Sequence, residues 1–430
     1  AANSSGGASS AGGAGKGGSA TSSGGAASGA GGTTSGGASS AGTSAGGAGN
    51  AGAANAGTGN GGSVSNGVQQ ACTTTVNTTL PGDAPDLIAG TWVDLTPPSI
   101  PKGNAENLIG QGLVLDPCDM KTLYWGNTPF TEADGALYKT TNAGADWSKI
   151  GQLDMPLHTR VDPRDSQHLY AGDGVRGGTL GFWISTDGGG SWTKPQGYTD
   201  TGTTGAAFIE DVYDVAIDPS DFDHVLVSSH SAWGWTDSKW NTDAGVLESK
   251  DGGKSWTMHD PEPGWGAGHS IDFLYNPAQG IGNADTWILG TQGDGQWRTT
   301  DAGATWTKVT DHNIFHGGGE TYYSKTGVLY ATSGDGLLRS ENNGESFDLI
   351  SNAGNGNTGV WGDGNLLYTA PAYGFGAQAF RTSPEDDGLT WTTGTQTFDG
   401  SGPFEMAFDA ANGILYASMW FQGVWALKVE

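Results

Sequence analysis

One pattern recurs along this chain, and few folds accommodate it. "STDGGGSWTK" at 185–194 reappears as "SKDGGKSWTM" at 249–258 and as "TTDAGATWTK" at 299–308. Six stretches fit or approach [ST]-x-[DN]-x-G-x-x-[WF], closing on Trp147, Trp192, Trp256, Trp306, Phe347 and Trp391. Successive copies lie 41 to 64 residues apart, near the length of one four-stranded propeller blade. Each follows a short apolar strand such as "GFWIS" or "DGLLRS" and precedes another. The acidic or Asn side chain can accept from nearby backbone N–H groups, Gly takes the unusual dihedrals, and the closing aromatic packs beneath. The predicted unit is a stapled hairpin.

A second regularity counts the blades. Apolar strands ending in a turn align as "GLVLDP", "HTRVDP", "DVAIDP", "DFLYNP", "ETYYSK", "TGVWGD" and "EMAFDA". Seven such strands predict an all-β, seven-bladed β-propeller. The last blade reaches the end of the sequence without a stapled hairpin, so its outer strand is expected from "GTWVDLTPP" at 90–98, with Trp92 in the place that follows the repeat. Joining both ends of the domain in one blade removes the open edges of the ring.

The hairpin resembles the Asp-box (BNR) repeat of sialidase-like propellers over about residues 90–430. In that family the repeat is frame and lies away from the active site. The run "VYDVAIDPSDFDHVLVSS" followed by "GVLESKDGGKSW" is nearest in grammar to the xyloglucanases of glycoside hydrolase family 74. Those enzymes pair two propellers and draw one catalytic Asp from each, an arrangement a single propeller does not inherit. Sialidases use an arginine triad. Of the six Arg residues here, Arg164, Arg298, Arg339 and Arg381 sit beside turns, and only Arg160 and Arg176 are placed to reach the mouth. The resemblance also extends to non-catalytic propellers, so it does not settle function.

Composition divides the chain. Residues 1–70 are rich in Gly, Ser and Ala with hardly a larger apolar side chain, which predicts a disordered linker, and 71–430 are expected to form the propeller. The net charge of −27 argues against nucleic acid and anionic membrane as partners. No apolar run is long enough for a transmembrane segment. The two cysteines, Cys72 and Cys118, are expected to form one disulfide at the domain edge, with two free buried thiols as the alternative. The linker and the cysteine pair suit an extracellular or bacterial cell-surface protein on a lipoprotein-like tether.

The chemistry is expected where the inner strands begin. Four residues before each turn stand Gly112, His158, Asp214, Asp272, Glu320, Thr358 and Glu405, with Glu210, Asp211, Tyr213, His269 and His316 nearby. Asp214 and Asp272 are the leading candidates for the acid and base or nucleophile of a glycoside hydrolase, with Glu320 and Glu405 as alternates. A lyase would draw on His158, His269 or His316 with Tyr213 or Tyr322. Crowded carboxylates should repel and shift upward in pKa. No cofactor is required, yet the same ring could hold Ca²⁺ or another divalent cation, with His269, His316 and Asp211 as ligands. The plain alternative is a water-filled polar channel. Loops on this face carry Trp233, Trp235 and Trp240, then Trp125, Trp265, Tyr373 and Trp420, whose planes would stack on sugar rings beside Arg160 and Arg176. The expected partner is a polysaccharide. The rival reading is a binding propeller without catalysis, and oligomeric state stays open.

Overall fold

The computed structural model describes residues 72–102, 110–128, 135–174, 178–196, 198, 212–230, 244–276, 278–315, 319, 321–371, 377–399 and 402–429. The linker predicted for residues 1–70 lies outside them.

Short strands separated by tight turns pair with their sequence neighbours, so each run of four makes one antiparallel sheet. In chain order, β1 (Trp92–Asp94) stands apart, and β2 to β5 (Gly110–Leu115, Leu123–Asn127, Ala136–Thr140, Ser148–Ile150) form the first blade. Blade 2 has three strands, β6 to β8 (Pro156–Asp162, Asp165–Asp173, Gly181–Ser185), and a single bridge from Ile184 to Thr193 in place of a fourth. Blade 3 is β9 to β12 (Val212–Asp218, Asp221–Ser229, Val246–Ser249, Thr257–His259). Blade 4 is β13 to β16 (Gly268–Phe273, Trp287–Thr291, Gln296–Thr299, Thr307–Thr310). Blade 5 is β17 to β20 (Thr321–Tyr323, Leu329–Ser333, Gly336–Ser340, Asp348–Ile350), and blade 6 is β21 to β24 (Asn357–Gly362, Leu366–Pro371, Ala377–Pro384, Thr392–Asp399).

The seventh blade closes the ring. Strands β25 to β27 (Pro403–Asp409, Ile414–Met419, Gly423–Lys428) take β1 as their outer strand, pairing Trp92 with Leu427, Val93 with Ala426 and Asp94 with Trp425. Trp92 then stacks on Phe380 of blade 6 at 4.2 Å between ring centroids. Gln396 of β24 accepts from the Trp92 N–H and donates to its carbonyl, both at 3.0 Å. The Cys72–Cys118 disulfide ties the segment ahead of β1 to the β2–β3 turn.

Burial follows position in the blade. The inner strand β9 is buried at all seven residues, because neighbouring blades cover both its faces. Outer strands such as β5 and β24 are mostly exposed. The cores lie between blades: one packs blade 7 against blade 1 around Leu113, Trp125 and Tyr416, another packs blades 5, 6 and 7 around Trp361 and Tyr368.

The recurring turn has one hydrogen-bond plan. In blade 3 Ser249 Oγ accepts the Gly253 N–H at 2.8 Å, and Asp251 Oδ1 accepts the Ser255 N–H at 2.8 Å. The Ser255 hydroxyl donates to Asp251 Oδ2 at 2.6 Å. The same pattern holds at Ser185 and Asp187, and at Thr299 and Asp301. Asn142 and Asn342 take the acidic place in blades 1 and 5. Each turn needs two consecutive residues with positive φ, as at Gly252 (70°) and Gly253 (84°). The sixth turn departs: Asp387, not Asp386, receives the Thr390 N–H, while Glu385 is buried and accepts from Tyr322 and from the Lys325 N–H.

Candidate functional site

Inner strands of adjacent blades belong to different sheets, so the polar groups they turn toward each other have no ladder to satisfy them. The residues at the mouth end of these strands fill that gap. Glu405 Oε2 accepts the Leu113 N–H of blade 1 at 2.6 Å. Asp214 Oδ2 accepts the Ile271 N–H of blade 4 at 3.0 Å, and Thr321 of blade 5 donates its hydroxyl to Asp272 Oδ2 at 2.9 Å. Thr358 donates to the Pro403 carbonyl of blade 7 at 2.5 Å. At Gly112 the next blade comes closer still, for a Cβ there would lie 2.2 Å from the Leu157 carbonyl oxygen. These aligned positions therefore join blade to blade. Their carboxylates are buried rather than open to the channel: Asp214, Asp272 and Glu405 are 4%, 1% and 5% exposed. Glu320 lies outside the described residues.

Arg160 organises the centre. Two residues beyond His158 on β6, it is buried and sends Nη1 to Glu405 Oε1 at 2.9 Å, with Nη2 3.6 Å from Asp214 Oδ1. The Thr159 carbonyl receives a further N–H at 3.1 Å. Crowding of like charges was the expectation here. Instead a guanidinium stands between two carboxylates and faces both, the arrangement a buried charge requires. Arg160, expected to bind substrate at the mouth, is instead buried and paired within the ring.

His158 Nδ1 lies 3.2 Å from Arg160 Nη2 and 3.3 Å from Asp214 Oδ1. Burial pushes the imidazole below its usual pKa; Asp214 and Glu405 oppose that, and Arg160 adds to it. The same nitrogen thus meets a guanidinium, which can only donate, and a carboxylate, which can only accept.

An apolar cluster adjoins this network, built partly from residues one place before the ring position, with the Phe404 ring 5.8 Å from that of His158. Leu157, Tyr213 and Phe404 pack with Trp420 and Phe421, and Phe315 joins from blade 4. Tyr213 faces His269 at 4.5 Å and stacks on His230 at 5.2 Å. His230 was not anticipated. The signal that could have found the cluster is the alternation along each inner strand, which puts large rings beside the charged positions. Phe421 is held at φ 60°, a strained conformation for a bulky residue.

The aromatic expectation needs correction at three positions. Trp125 is buried between blades 7 and 1 and donates Nε1 to Ser418 Oγ at 3.1 Å. Trp265 is buried against Trp297 and Trp306, and Trp420 lies in the cluster just described. Each indole is packed among apolar side chains of the core instead of offering a face to solvent. Trp233, Trp235, Trp240, Tyr373, Arg176, Asp211 and His316 lie outside the described residues. Among the described residues no three His, Cys, Asp or Glu side chains are grouped to hold a metal ion, and His269 is buried beneath Tyr213.

No family model matches the chain. It is similar to a xyloglucanase of Hypocrea jecorina (strain QM6a), 30% identical over 230 residues that make up 46% of this chain and 26% of that protein. A xyloglucanase of Paenibacillus sp is 25% identical over 251 residues, 53% of this chain and 23% of that protein. The matched region thus spans only a small part of either relative. Among solved structures, YCF48 from Cyanidioschyzon merolae superposes with a TM-score of 0.53 at 14% identity, covering 80% of this chain and 99% of that one. That likeness shows the propeller fold alone. The sequence matches add a xyloglucanase-like relationship at low identity.

Proposed function

We propose that this chain is an exported, carbohydrate-active propeller of the Asp-box type, which engages a xyloglucan-like polysaccharide over the mouth face. The observation that carries the reading is the sequence match to two xyloglucanases from different organisms. The sequence carries Trp233, Trp235 and Trp240 within one short stretch, and aromatic planes beside polar groups suit glycan stacking. The turn chemistry, repeated with Ser or Thr, Asp or Asn and Gly in fixed places, supports the Asp-box assignment. It leaves the turns as frame.

Recognition without hydrolysis accounts best for the ring itself. Asp214, Asp272 and Glu405 have oxygens engaged by backbone N–H groups, a hydroxyl or a guanidinium of a neighbouring blade. A general acid or a nucleophile must instead reach its substrate. Hydrolysis is the second reading, favoured by the His158 imidazole, 3.3 Å from Asp214 Oδ1 and lowered in pKa by burial. Export rests on the disulfide, a bond that persists in oxidising compartments.

Full-length protein incubated with a polysaccharide panel that includes xyloglucan tests both readings. Calorimetric binding to xyloglucan without new reducing ends supports recognition. New reducing ends abolished by His158→Ala would establish the hydrolase. Neither binding nor cleavage of any glycan would refute the carbohydrate reading.

A further inference from the structure

The mouth end of blade 2 holds a pair of carboxyl groups that the ring network does not use. Asp173 ends β7 and is fully buried, while Asp154 is half-buried in the connection from β5 to β6. Thr179 sits between them, just ahead of β8. Its Oγ1 is 2.6 Å from Asp154 Oδ1 and 3.0 Å from Asp173 Oδ2, and it accepts the Asp154 N–H at 2.9 Å. Asp154 Oδ2 in turn accepts the Gly178 N–H at 2.8 Å.

Counting hydrogens decides what this arrangement is. A threonine hydroxyl has one hydrogen and two lone pairs. If both carboxyl groups were ionised, that hydrogen could serve one of them, and the other would face a bare oxygen across a hydrogen-bond distance. With a proton on Asp173 Oδ2 each of the contacts that meet at the Thr179 hydroxyl has one donor and one acceptor. Asp173 donates to Thr179, Thr179 donates to Asp154 Oδ1, and the second lone pair of Thr179 takes the Asp154 N–H. The other oxygen points the same way. Asp173 Oδ1 is buried and makes no hydrogen bond, which is costly for an anion and much less so for a neutral acid.

We infer that Asp173 is a carboxylic acid in the folded protein, and that Asp173, Thr179 and Asp154 form a proton-dependent clasp fastening the turn before β8 to the connection into blade 2. Burial, then the Asp154 charge, hold the Asp173 carboxyl well above the usual carboxylate range, in agreement with the hydrogen count. Asp154 is the titratable group facing it from the connecting segment. The connection adds the Met155 N–H at 3.2 Å, and blade 3 adds the apolar side chain of Val212 against Gly172. Loss of the proton sets a second anion against Asp154 and leaves one hydroxyl to serve both. The mouth face thereby acquires a dependence on pH that is independent of what it binds.

Infrared difference spectroscopy of the full-length protein at neutral pH, together with amide exchange at Gly178 and Thr179 across an alkaline titration, tests this. Wild type should show a protonated-carboxyl band that D173N lacks, and exchange should rise through one step that D173N abolishes. Between the unfolded and folded pKa of Asp173 the folding constant should drop about tenfold per pH unit. D154N removes the neighbouring charge and should move the step to lower pH, a second arm that stands if D173N does not fold. Absence of the band in wild type, or a step that survives in D173N, would overturn the clasp. So would calcium-dependent stabilisation lost in D173N without a protonated-carboxyl band, which would put a cation in the proton's place.

Discussion

Replacing Glu405 by Gln probes how the ring is held together. The carboxylate serves two donors at once, the Leu113 N–H at 2.6 Å through Oε2 and Arg160 Nη1 at 2.9 Å through Oε1. A glutamine has a single acceptor oxygen, so its NH₂ must confront either the backbone N–H or the guanidinium. Leaving a buried donor unsatisfied costs about 1–3 kcal/mol. Removing one member of a buried ion pair costs about 3–5 kcal/mol, because the remaining charge stays buried. The two overlap, and Asp214, at 3.6 Å from Nη2, keeps part of the compensation. The expected loss is therefore about 3–4 kcal/mol in urea unfolding monitored by tryptophan fluorescence. A double-mutant cycle with Arg160→Met should return a coupling of about 2 kcal/mol or more, since the two changes remove one interaction. A loss under about 1 kcal/mol, or coupling near zero, would refute the claim that this carboxylate is a blade-to-blade clasp.

Three further outcomes follow from the same contacts. Gly112→Ala should destabilise by about 1–3 kcal/mol, because its Cβ would meet the Leu157 carbonyl oxygen at 2.2 Å, and thermal unfolding reads this directly. Asp251→Asn should be nearly neutral, as Asn142 and Asn342 already serve the same place, whereas Asp251→Ala should cost about 1–2 kcal/mol by chemical denaturation. In blade 3, His224 bridges Asp218 at 3.0 Å and Glu248 at 2.8 Å. Burial lowers its pKa, but these hydrogen bonds outweigh that and raise it, while Glu248, despite its own burial, is lowered by His224, His259 and Lys250. The raised imidazole stabilises below its unfolded value of about 6.5 and loses this as pH rises, and the lowered carboxylate stabilises above about 4.3 and loses this as pH falls. The contribution of this pair to stability should peak between those values, and His224→Asn should flatten its alkaline decline, read as the wild-type minus variant difference in unfolding free energy at stepped pH.

Much of the frame was legible in the residues. A turn that needs two positive-φ positions, a side-chain acceptor and an aromatic lid is written locally, so the spacing of its copies could be read as blades. The closing strand at Trp92–Asp94 was legible too, because one blade lacked an outer strand and one stray strand lacked a blade. That His158, Asp214 and Glu405 come together also follows from the repeat, since equal offsets in neighbouring blades bring their inner strands level.

What those side chains face was settled only by the tertiary structure. Spacing along a strand says that Asp214 and Glu405 share a level, but not that Arg160 comes between them, because the contact joins β6 to β9 and β25 across different sheets. Nor does a tryptophan's place near a loop say whether its indole turns outward. Trp125, Trp265 and Trp420 are buried because two sheets meet over them, and that meeting is a property of the ring. Local geometry and repetition determined the number and form of the blades. The partners of each charge and the burial of each ring depended on how blades pack, since burial and hydrogen-bond supply at those positions come from neighbours distant in the chain.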